Sequence, residues 1–203
     1  PAIDGSFASG WHLHQSVADS GGTNLFTPAE DGAMTDTASG WIAGLLHHAP
    51  AMSLFAVPTI TGYKRYRAHS LAPERISWSH DGRGALVRAL CRSGDAASRV
   101  ENRGGEPAAN PYLYLASQMF AGLDGITAGR EAPPAAADAY DDALPRLPSS
   151  LDEALALARD DAFVRDRFGA TFMDCYVAIK KAELASFATH VGDWEHRAYF
   201  AAF

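Results

Sequence analysis

The stretch SRVENRGGEPAANPYLYLA, residues 98–116, carries two different patterns side by side. Arg99, Glu101 and Arg103 alternate with Val100 and Asn102, so a strand here presents two guanidiniums and a carboxylate on one face. Asn110 then precedes Pro111 at the head of NPYLYLASQMFAGLDGI, which predicts a helix with Asn110 as N-cap and Pro111 in its first position. A carboxylate held between guanidiniums stays ionised, because nearby positive charge favours the charged form. It is then suited to a hard cation, while the arginine forks suit carboxylate and phosphate oxygens.

A second polar row lies near the start of the sequence, in GWHLHQS, residues 10–16. In a strand His12, His14 and Ser16 share one face, and Trp11 and Leu13 occupy the other. Further arginines stand between the two rows: Arg65 and Arg67 in GYKRYR, Arg83 in HDGRG, and Arg88 just beyond it. If His12, Glu101 and several arginines converge, they form a metal-ligand pair with anion clamps, the equipment of phosphoryl transfer. Taken alone, an H-x-H row also serves as a hydrogen-bonded strand surface. An R-x-E-x-R row also serves as a cross-strand salt-bridge ladder.

The chain has 203 residues, enough for one sizeable core or at most two small ones. A formal net charge of -7 argues against a surface built to grip nucleic acid or an anionic membrane, so any anion site must be a local cluster. The two cysteines, Cys91 and Cys175, have no metal-type spacing and read as buried thiols of a reducing compartment. No apolar run is long enough to span a bilayer and no leader pattern is present. The sequence opens at Pro1 without Met, as expected of a processed chain or a piece of a longer one.

Strands are expected early and helices late, an α+β mixture. Residues 18–26, with Gly21 and Gly22, read as a hairpin return. Residues 35–49 read as a helix ending before Pro50, which puts His47 and His48 at its C-terminus. Residues 57–103 read as strands and loops. The Pro- and Ala-rich segment 129–149 reads as an ordered excursion. Ser150 and Glu153 have capping-box spacing and open a helix through about Arg159. A last long helix, roughly 170–189, is expected to set Phe172, Cys175, Tyr176, Ile179 and Phe187 near one face, with Lys180 and Lys181 outward.

The ordered set SGWHLHQS, NLF, GYKRYR, LAPERISWSHDGR, VENRGGEPAANPYLYLASQMFAGLDGI, LPSSLDEAL and FATHVGDWEHRAYF resembles the C-terminal part of the glutamine synthetase catalytic domain. The resemblance covers nearly the whole chain. Its texture is nearest to the γ-glutamylpolyamine and γ-glutamylanilide synthetase-like ligases. It implies an antiparallel curved sheet with flanking helices. The N-terminal β-grasp domain and the first catalytic strands, with further metal-ligating glutamates, would lie outside this chain.

In that family ATP phosphorylates the glutamate side chain and an amine attacks the acyl phosphate. The resemblance implies that His12 and Glu101 ligate Mg²⁺ or Mn²⁺, and that His14, Ser16, Arg88 and Arg99 face ATP. It assigns Arg83 to the transferred phosphoryl group and Arg65 and Arg103 to glutamate. It also implies a cytoplasmic, ring-forming homo-oligomer with active sites between neighbouring subunits, and an isolated 203-residue chain without activity.

The sequence departs from the family's pattern at several motifs. The Asn-Gly before the metal histidine is replaced around Phe7 and Ala8, Asn-Ser-Tyr becomes Thr61-Gly62-Tyr63, and Asp-Asn-Arg becomes Asp81-Gly82-Arg83. Ser70 and Leu71 stand where glutamine synthetases carry a flap glutamate. Loss of that carboxylate, with Phe7, Trp11, Leu71 and Trp78 as apolar surface, favours an amine larger than ammonia. Glutamine synthetase using ammonia and a catalytically inactive structural or regulatory relative are the alternative readings.

Overall fold

Thr35 opens the longest helix, α1 (Asp36–Ala56), its side chain accepting from the Ala38 N–H as an N-cap. In this computed structural model, which describes residues 8–30, 32–67, 70 and 72–202, α1 is the central element. It does not stop before Pro50 but runs through it. An interior proline costs about 3 kcal/mol. Beyond it Met52, Leu54 and Phe55 are all buried, each worth roughly 1.5–3 kcal/mol, so core burial carries the helix on. His47 and His48 therefore lie within α1, not at its C-terminus. His48 is buried, with Nε2 2.8 Å from Asp124 Oδ2 and its ring stacked on Phe163.

Four short strands form one sheet: β1 (Leu13–Gln15), β2 (Trp78–His80), β3 (Val87–Leu90) and β4 (Arg99–Asn102), in the order β1-β4-β3-β2. The β1/β4 and β3/β4 pairs are antiparallel, as expected, but β2 runs parallel to β3. Only residues 81–86 connect that parallel pair. Asp81, at φ 56°, reverses the chain there, and Asp81 N–H and Val87 N–H donate to Ala89 and Ser77 carbonyls to close the loop. Residues 57–67 hold no strand; they turn through a 3₁₀ segment, Thr61–Arg65.

Behind the sheet α1 packs on α2 (Pro111–Thr127). Asn110 caps α2 as expected, accepting from the Tyr112 and Leu113 N–H groups. Gly40 and Gly44 of α1 meet Gly125 and Ala121 of α2 backbone to backbone, so no side chain fits between them. The core joins Trp41, Ile42 and Leu45 to Val87, Ala89 and Val100. The 18–26 return forms, with an Ala18–Asn24 bridge and Gly22 at positive φ.

The segment 129–149 is an ordered excursion along the β2 side. Trp78 Nε1 donates to Pro133 O at 2.6 Å, and Ile76 N–H donates to Pro145 O. Ser150 caps α3 (Leu151–Arg159), while the Glu153 carboxylate bonds Ser149 rather than Ser150. The remaining helices are α4 (Ala162–Phe168), α5 (Ala170–Ala188) and α6 (Asp193–Tyr199).

α5 turns a different face inward from the one its sequence suggests. Met173 is fully buried, Tyr176, Val177 and Leu184 are partly so, and Lys180 reaches Pro58 O at 2.6 Å. Ile179 and Phe187 are exposed, and so is Cys175, about 200° around the helix from Met173. Cys175 is thus not a buried thiol, and Cys91 is half-buried. Among the described residues no helix is long and apolar enough to cross a membrane.

Candidate active site

Residues 11–17 alternate between half-buried and exposed without a break: Trp11, Leu13, Gln15 and Val17 face inward, and His12, His14 and Ser16 face outward. This is the strand alternation that the sequence predicts. On the inner face Trp11 packs edge-on against Tyr114, and Gln15 accepts from Trp41 Nε1.

The outer row continues across the sheet. His14 is directly opposite Glu101, Glu101 is directly opposite Arg88, and Arg88 is opposite Ser79. Side chains opposite one another in a ladder share a face. Register alone therefore stacks a histidine, a carboxylate and a guanidinium from sequence positions far apart.

Glu101 is the hub. It is almost fully buried, yet Arg103 Nη1 donates to its Oε1 at 2.8 Å, Arg88 Nη1 donates to its Oε2 at 3.2 Å, and His12 Nδ1 lies 3.0 Å from Oε1. Burial works to raise its pKa, but Arg103, Arg88 and the two histidines outweigh burial and hold the carboxyl below its ordinary value. His12 is shifted down, first by burial and then by Arg103, so its neutral form, the ligand form, is favoured.

Arg88 is gripped from two sides. Besides Glu101 it donates through Nε to the Asp81 main-chain oxygen at 3.1 Å and through Nη2 to the Asp81 carboxylate. Asp81 carries a role the sequence reading missed; the signal for it is the Asp81-Gly82 turn, seven residues before Arg88. Arg99 donates through Nε to His14 Nδ1 at 3.1 Å and does not touch Glu101.

Arg65 arrives from the 3₁₀ turn, donating to Gly104 O at 3.3 Å. A Cβ on Gly10 would meet His12 Nε2 and Arg65 Nη2, so this glycine lets the histidine and the guanidinium approach each other. Arg65 and Arg103 are both buried, and the Nε of each lacks a hydrogen-bond partner among the described residues. The turn itself is pinned by Glu106, another residue missed from sequence, whose carboxylate accepts from Thr59 N–H and Oγ.

The structure thus brings together His12, His14, Arg65, Arg88, Arg99, Glu101 and Arg103. Arg83 and Ser16 are exposed and make no hydrogen bond or ion pair with the described residues. Trp11 and Trp78 belong to the inner face of the sheet, so neither offers apolar surface at the polar row. Phe7 and Leu71 lie outside the described residues. As metal donors His12 and Glu101 fit a hard divalent cation, but among the described residues no cluster of three or more His, Cys, Asp or Glu gathers around them.

A sheet face of this kind sets a His–Glu pair among arginines, an arrangement chemically suited to anions beside a cation. The sequence matches the family described as glutamine synthetase, catalytic domain, over residues 2–199, and the chain belongs to that family. It is 42% identical to a γ-glutamylanilide synthase from Acinetobacter, over 98% of this chain and 43% of the relative. It is 36% identical to a γ-glutamylethanolamide synthetase from Streptomyces coelicolor, over 93% of the chain and 40% of the relative. A glutamine synthetase of Methanococcus maripaludis is 30% identical over 94% of the chain and 45% of its own length. The chain therefore spans less than half the length of these relatives.

Proposed function

We propose that the whole protein is an ATP-dependent ligase that joins glutamate to an amine through a γ-glutamyl phosphate. The convergence of His12, Arg88 and Arg103 on the buried Glu101 carries this reading. His12 and Glu101 are two of the ligands of a Mg²⁺ or Mn²⁺ ion, whose contribution when bound is to neutralise phosphate charge. The chain's part of the catalytic domain is the C-terminal one; the β-grasp domain and the other ligating strands come from the remainder of the protein.

Arg65 and Arg103, buried with unpartnered Nε atoms, hold the carboxylates of glutamate. Arg88 and Arg99, with His14 and Ser16, line the nucleotide side. Arg83, exposed on the 81–86 loop, swings onto the transferred phosphoryl group, where a guanidinium is worth most as charge develops. The acceptor is an amine larger than ammonia. Ser70 and Leu71 in place of a flap carboxylate support this, as does the 42% identity to a γ-glutamylanilide synthase. A cytoplasmic ring of subunits completes the reading.

Phosphate release from ATP by the full-length protein, with glutamate and one amine at a time, tests it. Aniline, ethanolamine or a polyamine should stimulate release well above ammonia. Preference for ammonia makes the protein a glutamine synthetase, and no response to any amine refutes the ligase.

A further inference from the structure

The inner face of the sheet bears a second concavity that the polar row does not use. It has a volume of about 590 Å³ and lies between α1, residues 76–78 and the excursion. Small-molecule sites fall within roughly 300–1,000 Å³. Leu46, Ile76, Trp78 and Pro133 give it apolar walls. The walls are tied in place: Trp78 donates through Nε1 to Pro133 O, and its own carbonyl accepts from Ala136 N–H at 2.9 Å.

Its polar side chains are His47, Ser77, Arg130 and Glu131. Ser77 lines the cavity, is 4% exposed, and its Oγ has no hydrogen-bond partner among the described residues. A buried hydroxyl left unpaired is unfavourable, so an atom that satisfies it gains affinity. Arg130 uses Nε on Asp124 Oδ2 at 3.2 Å, and its terminal nitrogens make no hydrogen bond with the described residues. Glu131 stands exposed at the rim.

We infer that this cavity is a second binding site, for a small carboxylate with an apolar ring-sized body and a further polar atom. The carboxylate lies on the free edge of the Arg130 guanidinium, the body against Trp78 and its apolar neighbours, and the polar atom at Ser77 Oγ. An arginine fork takes a carboxylate with two parallel hydrogen bonds, which a lone ammonium group cannot accept. Trp78 pairs with Val87 on the inner face, opposite to the Arg88–Glu101–His14 row. The site is therefore separate from the proposed active site and does not rest on the ligase reading.

Calorimetric titration of the full-length protein with phloretate, and with tyramine as its cationic counterpart, tests the inference. Phloretate should bind saturably and at least about tenfold tighter than tyramine. Saturating ATP and glutamate should leave that binding in place. Arg130→Gln should weaken it about tenfold and Ser77→Ala about threefold. Glu131→Gln, at an exposed position where folding is not at risk, should tighten phloretate about twofold. Absence of saturable binding, parity with tyramine, displacement by ATP and glutamate, or no gain in Glu131→Gln each overturns the site.

Discussion

Glu101 stands directly opposite Arg88 on the neighbouring strand, and Arg88 Nη1 donates to its Oε2 at 3.2 Å. With Arg103 on its other oxygen, the one carboxylate pairs with two guanidiniums at once. Removing one partner of a buried ion pair leaves the other charge uncompensated and costs about 3–5 kcal/mol. Glu101→Ala should therefore destabilise the protein by an amount of that order, read as a lowered Tm in chelator. Glu101→Gln, which keeps one acceptor but not the charge, should lose less stability than Glu101→Ala and at least about tenfold in kcat/KM. Equal Tm for Glu101→Ala and the unmodified protein would show that the hub is not structural.

Asp81 aims Arg88 while remaining exposed itself. Its carboxyl lies below the ordinary range, chiefly because Arg88 hydrogen-bonds to it. Its positive φ is tolerated by Asn far better than by residues branched at Cβ. Activity should therefore fall in the order Asp81→Asn, Asp81→Ala, Asp81→Val, seen mainly as a rising KM for ATP. A KM unaffected by all three would separate Asp81 from the nucleotide side.

Asp124 binds His48 Nε2 and Arg130 Nε with the same oxygen. Burial works to raise its pKa, but these two donors hold it below the usual carboxylate value. A depressed folded pKa contributes stability that is fully present above the unfolded value of about 3.9 and is lost as pH falls through the lower one. The Tm difference between the unmodified protein and Asp124→Asn should be constant above about pH 5 and shrink as pH falls further. A difference that grows toward acid pH would contradict the sign.

Gly44 and Gly125 set the distance between α1 and α2. A Cβ at either position would be driven into main-chain atoms of the facing helix, Ala121 O or Gly40 O. Backbone cannot move aside as a side chain can, so Gly44→Ala or Gly125→Ala should cost about 3 kcal/mol or more. Gly84→Ala is the control: its Cβ would touch only side-chain atoms of Ala139 and Tyr140. It should change Tm far less. Chemical denaturation of the three variants decides the point.

Local patterns carried much of this fold. The strict alternation around His12 and His14, the Asn110 cap before Pro111 and the capping serine at 150 all operate within a few residues, where sterics and hydrogen bonding act without the rest of the chain. Pro50 misled because its local cost was outweighed by burial of residues that follow it. The α5 face misled because aromatic residues at helical spacing do not reveal which side meets a neighbour, and Met173 with Lys180 took that side.

The amino-acid sequence by itself determined the family, the α+β class and the identity of the charged rows, since periodicity and motif order are written along the chain. It also named most residues of the candidate site, though not Asp81 or Glu106. Only tertiary structure decided how they meet. Strand register placed His14, Glu101 and Arg88 in one line, and the parallel β2/β3 turn bent Asp81 back onto Arg88. The sheet's two faces sent Trp11 and Trp78 away from the site they seemed by composition to serve. Pairing between distant strands depends on long-range packing, which no local sequence pattern encodes.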